Sequence, residues 1–454
     1  IDGARKCREC KQWIGPEPKD LSRSTHTRPA ILVLAAVSGV AAVLISSRPS
    51  PVGEAPPLTP IATGSAVSTD AVTSAGVRPG ATISERVMPR LVSSAEPAQP
   101  RQDWRARQLK IDVHPLDIAF SASGESIYVS ADDASLREYS LQTGKLLHMA
   151  SIPAQGDRIK LLNNRYVAVL RLVDAAHIPV LDTHHWDREP ILLGVGTNPA
   201  DIVALPDGKT VVTASSRGKR LSWYNLASGQ LRSDLRLPYT ARQLYLLRTP
   251  EGPQVGAMGI MFRAKRPAGA WIDLFDPMER PFGATRRSIS VGRDPRDGAT
   301  TRDGAAVFFP DYVSNSASLL RIESTTHLQT VRVGAGPVAG FLLHQDRYAI
   351  TIDRLARTAT VLSVSDMKRV NTLMLRASPN FGATTPDGKT LFVALGGIGF
   401  PPRGSGASII SGDPPQIVGT VDTGMGASRV AAASDGRHAA IANYFAKAIT
   451  IISR

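Results

Sequence analysis

The chain has 454 residues, of which 53 are Lys or Arg and 39 are Asp or Glu, and its formal net charge is +14. A basic balance of this size often signals nucleic acid or an anionic surface as the partner. The basic residues are scattered through predicted turns, however, and form no Arg/Lys run with interleaved aromatic residues. The composition therefore argues against nucleic-acid binding and favours anionic components of the cell envelope.

The first 28 residues contain both cysteines of the chain, Cys7 and Cys10. The run Ala-x-Lys-Cys-x-x-Cys-x-x-Trp-Ile resembles the second half of small bacterial zinc ribbons, in which an earlier Cys-Pro-x-Cys supplies two more ligands. The resemblance implies that Cys7 and Cys10 ligate zinc. A closed tetrahedral site needs four ligands, so this pair supplies half of one. An incidental pair and a redox pair are the alternatives.

Residues 29–47 form an uncharged stretch between Arg28 and Arg48. Its length nearly crosses a hydrocarbon core of ~30 Å as a helix, which predicts a single transmembrane anchor; a cleaved secretory signal is the alternative. Seven basic residues precede the stretch, whereas none follows Arg48 until Arg78. This asymmetry predicts a cytoplasmic N-terminus in a bacterial inner (cytoplasmic) membrane, with the rest of the chain periplasmic or extracellular. Both cysteines then lie on the reducing side.

Residues 48–103 read as a disordered linker. From Pro49 to Pro100 the chain has nine prolines, many Ala, Ser and Thr, and no aromatic residue. Such a composition cannot bury enough apolar surface to fold. We expect a semi-extended tether between the anchor and the domain that follows.

Residues 104–454 carry an internal repeat. Asp/Ser-Gly turns end at steps of 84, 96, 84 and 48 residues, at Gly124, Gly208, Gly304, Gly388 and Gly436. Prolines follow the same period, at Pro115, Pro199, Pro295, Pro337 and Pro379. A step of 84 is two units of 42, the length of one four-stranded propeller blade. Short strands separated by Gly turns, with no helical stretch between them, predict an all-β propeller.

Eight units fit the count best, and seven is the alternative because Pro250–Pro267 interrupts the spacing. The units begin near Leu116, Arg158, Ala200, Arg242, Arg296, Val338, Asn380 and Ser428. The last unit contains three strands, so we expect Gln108–Val113 to supply its fourth. Such an exchange closes the ring and removes exposed sheet edges.

The motifs of this region resemble those of the YVTN-repeat β-propeller family. The order is Pro-x-Asp-Ile, then Pro-Asp-Gly-Lys, then a strand such as Val-Val-Thr-Ala, and it is clearest at 198–237 and 425–454. The resemblance implies the propeller architecture. It leaves the activity open, because the family includes surface proteins, binding proteins and some lactone hydrolases.

One constellation of residues is a candidate ligand site. Residues at the start of successive inner strands should surround one end of the central channel, and here they are Arg158, Arg242, Arg296, Arg429, Asp117, Asp201 and Asp297. A ring of guanidiniums suits a carboxylate, a phosphate or an acidic peptide. The alternative is that these residues pair with their neighbours and bind nothing.

No catalytic motif is present in the sequence, so a non-enzymatic binding or scaffold module is the favoured function. The expected partner is a protein or an anionic envelope ligand, and no cofactor is expected in the propeller. The alternative is a lactonase-like hydrolase acting at the channel end. A converging acid, histidine and arginine there would favour the hydrolase.

Overall fold

The structure, a computed structural model, describes residues 5–6, 13–14, 103–263, 266–278, 286–322, 326–399 and 401–454. The chain divides into two units, 1–35 and 36–454. In the first, β1 (Arg5–Lys6) pairs antiparallel with β2 (Trp13–Ile14). Cys7, Cys10, the predicted span 29–47 and the linker up to residue 102 lie outside the described residues. Within the described ranges, no helix is long and apolar enough to cross a membrane.

The second unit contains eight four-stranded antiparallel sheets, which are the eight blades of a β-propeller. Blade 1 is β4 (Pro115–Phe120), β5 (Ser126–Ala131), β6 (Ser135–Ser140) and β7 (Leu146–Ser151). Blade 2 is β8 (Arg158–Leu161), β9 (Tyr166–Leu170), β10 (His177–Asp182) and β11 (Ile191–Gly194). Blade 3 is β12 (Pro199–Ala204), β13 (Thr210–Ser215), β14 (Arg220–Asn225) and β15 (Leu231–Arg236). Blade 4 is β16 (Thr240–Thr249), β17 (Gly252–Arg263), β18 (Arg266–Phe275) and β19 (Arg286–Val291).

The remaining blades continue in chain order. Blade 5 is β20 (Ala299–Thr300), β21 (Ala306–Asp311), β22 (Ser316–Ile322) and β23 (Thr326–Arg332). Blade 6 is β24 (Pro337–Leu343), β25 (Tyr348–Asp353), β26 (Thr358–Ser363) and β27 (Arg369–Met374). Blade 7 is β28 (Phe381–Thr384), β29 (Thr390–Ala394), β30 (Ala407–Ser411) and β31 (Gln416–Val421). Blade 8 is β32 (Ala427–Ala432), β33 (His438–Asn443), β34 (Ala448–Ser453) and β3 (Arg105–Lys110).

The hydrophobic core lies between neighbouring blades. In one cluster, fully buried Trp223 of blade 3 packs with Leu244 and Phe275 of blade 4. Strand β13 is buried at all six positions, whereas the outer strand β15 is largely exposed. Each sheet packs against another sheet on both faces. The middle strands are therefore continuous runs of apolar residues, whereas the outer strand is mostly polar.

The exchange of a strand in the last blade is confirmed, with different bounds. β3 pairs with β34 from Arg105 opposite Ser453 to Lys110 opposite Ala448. The closing strand therefore begins three residues before the expected Gln108. Eight blades are confirmed, and the irregular stretch after Pro250 is the long β17–β18 hairpin of blade 4.

Candidate functional site

The inner strands of five blades begin with a β-bulge, and several candidate residues lie there. The register shifts just before Asp117, Asp201, Gln243, Ala339 and Arg429. A bulge adds one unpaired residue and redirects local side chains. These strands surround the channel, so the bulges direct polar groups into the end where the inner strands begin. We call this end the mouth.

Arg158 and Asp297 form a salt bridge between blades 2 and 5. Arg158 Nη2 lies 3.0 Å from Asp297 Oδ2. The carboxylate of Asp297 raises the pKa of Arg158. Burial raises the pKa of Asp297, but the charges of Arg158, Arg429, Lys160 and Arg296 together outweigh burial, and the pKa lies below its ordinary value. Both groups are therefore charged at neutral pH, and their pairing joins two blades that are separated by two others in the ring.

Arg429 is buried and contacts residues of three other blades. Its Nε lies 3.7 Å from Asp117 Oδ1 in blade 1. Its Nη2 donates to the Asp157 carbonyl oxygen in blade 2 at 3.2 Å, and its Cζ lies 3.6 Å from the centre of the Phe381 ring in blade 7. Burial lowers the pKa of Arg429 and raises the pKa of Asp117. This arginine links blade 8 to blade 1 by an ion pair, to blade 2 by a hydrogen bond and to blade 7 by a cation–π contact.

Arg242 and Arg296 share one carboxylate. Arg242 Nη1 lies 2.7 Å from Asp294 Oδ1, and Arg296 Nη2 lies 2.5 Å from Asp294 Oδ2. The Arg296 guanidinium also covers the Tyr312 ring, with Cζ 4.7 Å from its centre. Burial lowers the pKa of Arg242, and the charge of Arg296 adds to this effect. Two guanidiniums and one carboxylate leave one positive charge in excess within this trio.

Asp117 and Asp201 each link their blade to the next. Asp117 Oδ2 accepts the Ile159 N–H at 2.7 Å, and Asp201 Oδ2 accepts the Leu244 N–H at 3.0 Å. The other oxygen of Asp201 lies 2.9 Å from Lys160 Nζ. Both aspartates therefore have structural partners.

A cavity of about 580 Å³ opens at the mouth between blades 2 and 5. Its described lining carries four guanidiniums and one carboxylate, from Arg158, Arg217, Arg242, Arg296 and Asp297. Apolar side chains complete the wall, among them Leu172, Met258 and Phe262. With Asp294 behind Arg242 and Arg296, the cavity has four guanidiniums against two carboxylates. It is net positive, with an apolar side.

Arg354 adds a further cation at the mouth. It lies in the β25–β26 loop, and its Nε and Nη2 donate to the carbonyl oxygens of Pro379 and Asn380 at 3.3 and 3.5 Å. Burial lowers the pKa of Arg354 to about 10, with the charges of Arg296 and Arg429 adding to the effect. It remains protonated at neutral pH.

All seven propeller residues that were predicted from the repeat period lie at the mouth. The repeat period did not predict four charged residues that lie beside them. These are Lys160, Arg217, Asp294 and Arg354. A signal existed for Asp294, because it precedes repeat proline Pro295 just as Asn198 precedes Pro199, and both have a left-handed backbone (φ 58°). The repeat pattern does not predict which charged residues contact each other across the channel.

No cluster of three or more His, Cys, Asp or Glu residues that could hold a metal is found in the described ranges. The zinc ligands expected at Cys7 and Cys10 lie outside those ranges, so that site stays a prediction.

Neither a protein-family profile nor a curated protein sequence matches this chain. Among solved structures, it is similar to Kuenenia stuttgartiensis hydrazine synthase, with a TM-score of 0.50 and 17% sequence identity. The alignment covers 76% of this chain and 97% of that one. Similarity at this identity concerns the fold alone, so the class that fold and site define is an eight-bladed β-propeller with a basic mouth.

Proposed function

We propose that this protein is a non-enzymatic binding module that takes an anionic ligand at the mouth. The observation that carries the proposal is the cavity with four guanidiniums and two carboxylates. Guanidinium forks bind carboxylate and phosphate oxygens through paired, charge-assisted hydrogen bonds. Low-dielectric walls around such a cavity strengthen its attraction for anions.

We propose further that the binding module is displayed outside the cytoplasm as a YVTN-like propeller. A single membrane helix at 29–47 would hold it, and the linker would set its distance from the bilayer. Cys7 and Cys10 would contribute to a zinc site on the cytoplasmic side. Support for these points comes from the uncharged stretch, the basic flank and the repeat motifs of the sequence.

A lactonase-like hydrolase is the competing function. It calls for an acid, a histidine and an arginine that converge at the mouth. Arg158 and Asp297 meet there, but histidine is absent from the described lining of the cavity. A lactone hydrolysis assay tests this alternative directly.

Titration of the full chain with inorganic phosphate and with succinate tests the binding proposal. We expect both anions to bind, and the double variant Arg217→Gln/Arg242→Gln to weaken binding by about 2 kcal/mol or more, because charge-assisted hydrogen bonds contribute ~1.5–3 kcal/mol each. These two residues suit the test because Arg217 is exposed and Asp294 keeps Arg296 when Arg242 is removed. Calorimetry measures the affinity.

The matched control is Arg105→Gln/Arg236→Gln, which removes two exposed arginines from outer strands. It lowers the net charge equally, so it should leave anion affinity nearly unchanged. If the mouth variant only lowers the melting temperature and binds both anions as the wild type does, its arginines are structural and the proposal is wrong.

A further inference from the structure

Four loops on the mouth side have the same backbone geometry. Each has four residues and is closed by a strand pair, namely Ser215–Arg220, Asp311–Ser316, Asp353–Thr358 and Asn443–Ala448. The last residue of each loop is left-handed, with φ values of 49°, 51°, 56° and 44° at Lys219, Asn315, Arg357 and Lys447. Equivalent loops of a propeller face the same way, so their second residues occupy equivalent places around the mouth.

The second residue is apolar and exposed in three of these loops. Val313 in blade 5 is 49% exposed, Leu355 in blade 6 is 53% exposed and Phe445 in blade 8 is 38% exposed. Between blades 6 and 8, the β29–β30 loop of blade 7 presents Ile398, which is 66% exposed. In blade 3 the equivalent residue is Arg217. We call Val313, Leu355, Ile398 and Phe445 the apolar crescent.

Two tips of the crescent rest on glycines of the segments that lead into the inner strands. A Cβ at Gly336 would lie 2.6 Å from Leu355 Cγ, and a Cβ at Gly426 would lie 2.8 Å from the Phe445 nitrogen. Both glycines have positive φ, 65° and 86°. The fold therefore holds Leu355 and Phe445 close against the preceding segment while leaving each residue partly exposed. Single exposed apolar residues are common, but one at the mouth end of each of four consecutive blades is an arrangement that a single partner can cover.

The crescent and the cavity adjoin each other on one face. The cavity lies between blades 2 and 5, and the crescent spans blades 5 to 8, so the two features meet at blade 5. Arg354 lies next to Leu355 within the crescent. We propose that this face docks one protein partner, which inserts an acidic side chain into the mouth and covers the crescent with apolar side chains. The proposal rests on the anion site proposed above. The position of the positive charges favours a protein partner over a lipid surface. Arg158 and Arg242 lie within a concave cavity, which a protruding carboxylate can reach and a flat bilayer surface cannot.

Selection of a displayed library of random 12-residue peptides on the immobilised full chain tests this docking surface. We expect the enriched peptides to share an acidic residue close to apolar residues. Synthetic copies of them should bind Leu355→Ser/Phe445→Ser at least about tenfold more weakly than the wild type. The matched control is Leu146→Ser/Leu147→Ser, which removes two leucines of similar exposure, 47% and 48%, from outer strand β7. It should bind the peptides unchanged.

Phosphate titration separates this proposal from the anion site. The crescent variant should keep phosphate affinity and lose peptide affinity, whereas Arg217→Gln/Arg242→Gln should lose both. Peptides that bind the crescent variant as well as the wild type would overturn the docking surface and leave the anion site standing. Peptides that need the crescent but not an acidic residue would overturn the insertion of an acidic side chain into the mouth, and phosphate titration alone would then decide the anion site.

Co-sedimentation with vesicles of phosphatidylglycerol and phosphatidylcholine tests whether the crescent binds a lipid surface instead. Co-sedimentation that depends on Leu355 and Phe445, without enriched peptides, would assign the crescent to a lipid surface and overturn the proposal. Failure of both peptides and vesicles to bind would also overturn it.

Discussion

Polar residues at the end of the second strand connect a blade to the blade before it. In blade 6, Asp353 accepts the hydroxyl of Thr360 at 2.7 Å, and Thr360 Oγ1 accepts the N–H of Gly334, which follows blade 5, at 3.2 Å. In blade 8, Asn443 Nδ2 donates to Thr450 Oγ1 at 2.8 Å. The same hydroxyl accepts the N–H of Gly424, which follows blade 7, at 3.4 Å. The carboxylate of Asp353 and the amide of Asn443 thus hold the equivalent threonine hydroxyl, which in turn binds the segment after the preceding blade.

Asp311 is the corresponding residue of blade 5, and its carboxylate is less well satisfied. Oδ2 accepts the hydroxyl of Ser318 at 2.7 Å, while Oδ1 is buried with no hydrogen-bond partner in the described chain. Burial raises the pKa of Asp311 to about 7. Burial raises the pKa of Asp353 to about 6, where three threonine hydroxyls oppose it. The fold therefore favours the protonated form of Asp311 more than that of Asp353.

Asp311→Asn should raise stability at pH 8 and change it little at pH 4. The folded pKa is raised, so the stability linked to the protonated form is fully present below about pH 4, the unfolded value, and is lost as pH rises through about 7. Each pKa unit corresponds to ~1.4 kcal/mol, so a few kcal/mol are involved. Urea unfolding at both pH values measures this.

Asp353→Asn is the comparison, and a smaller gain at pH 8 is expected because three hydroxyls already donate to that carboxylate. Equal pH slopes for wild type and Asp311→Asn would contradict the expectation.

The sequence predicted where the charged residues lie but not what they contact. The period of 42 put Arg158 and Asp297 at the same end of the channel. Their salt bridge joins residues 139 positions apart. Which arginine meets which aspartate depends on ring closure and on bulge geometry, and neither is encoded in a local pattern. The repeat pattern therefore gives no indication that Arg242 and Arg296 share the carboxylate of Asp294.

Among the strands, β3 was the hardest to delimit from the sequence. Five of its six residues are exposed, and its sequence contains three basic residues, so no apolar pattern marks its ends. Its existence followed from the missing fourth strand of the last blade. Its ends are set by the ladder with β34 and by the Ile111 N–H, which donates to the Lys447 carbonyl at 2.9 Å.

Deletion of Arg105–Lys110 should lower the melting temperature by several degrees or cause aggregation. The deletion leaves β34 as an unpaired edge, which other chains can extend. Differential scanning calorimetry with light scattering measures both effects. A six-residue deletion at 60–65 in the linker is the control and should melt like the wild type. A melting temperature unchanged by the first deletion would mean that the ring closes without β3.

The whole molecule is predicted to have its propeller on the far side of the membrane from its N-terminus. A reporter that is active only outside the cytoplasm, fused after Pro100, should be active, because the basic residues before the span retain that end in the cytoplasm. A reporter that is active only inside, fused at the same place, is the control and should be silent. The reverse pattern would contradict the orientation.

Ring closure by β3 and β34 also sets the order in which the protein can mature on the ribosome. Lys110 cannot pair until Ala448, its partner in the ladder between β3 and β34, has been synthesised. At about 5–20 residues per second, that delay is roughly 20–70 s. Earlier blades can form from neighbouring segments during this time, but Arg429 belongs to blade 8, so the mouth lacks a central cation until translation nears the last strand. A nascent chain therefore carries the crescent loops of blades 5 to 7 before it has a finished mouth, and binding that requires both begins only after blade 8 is complete.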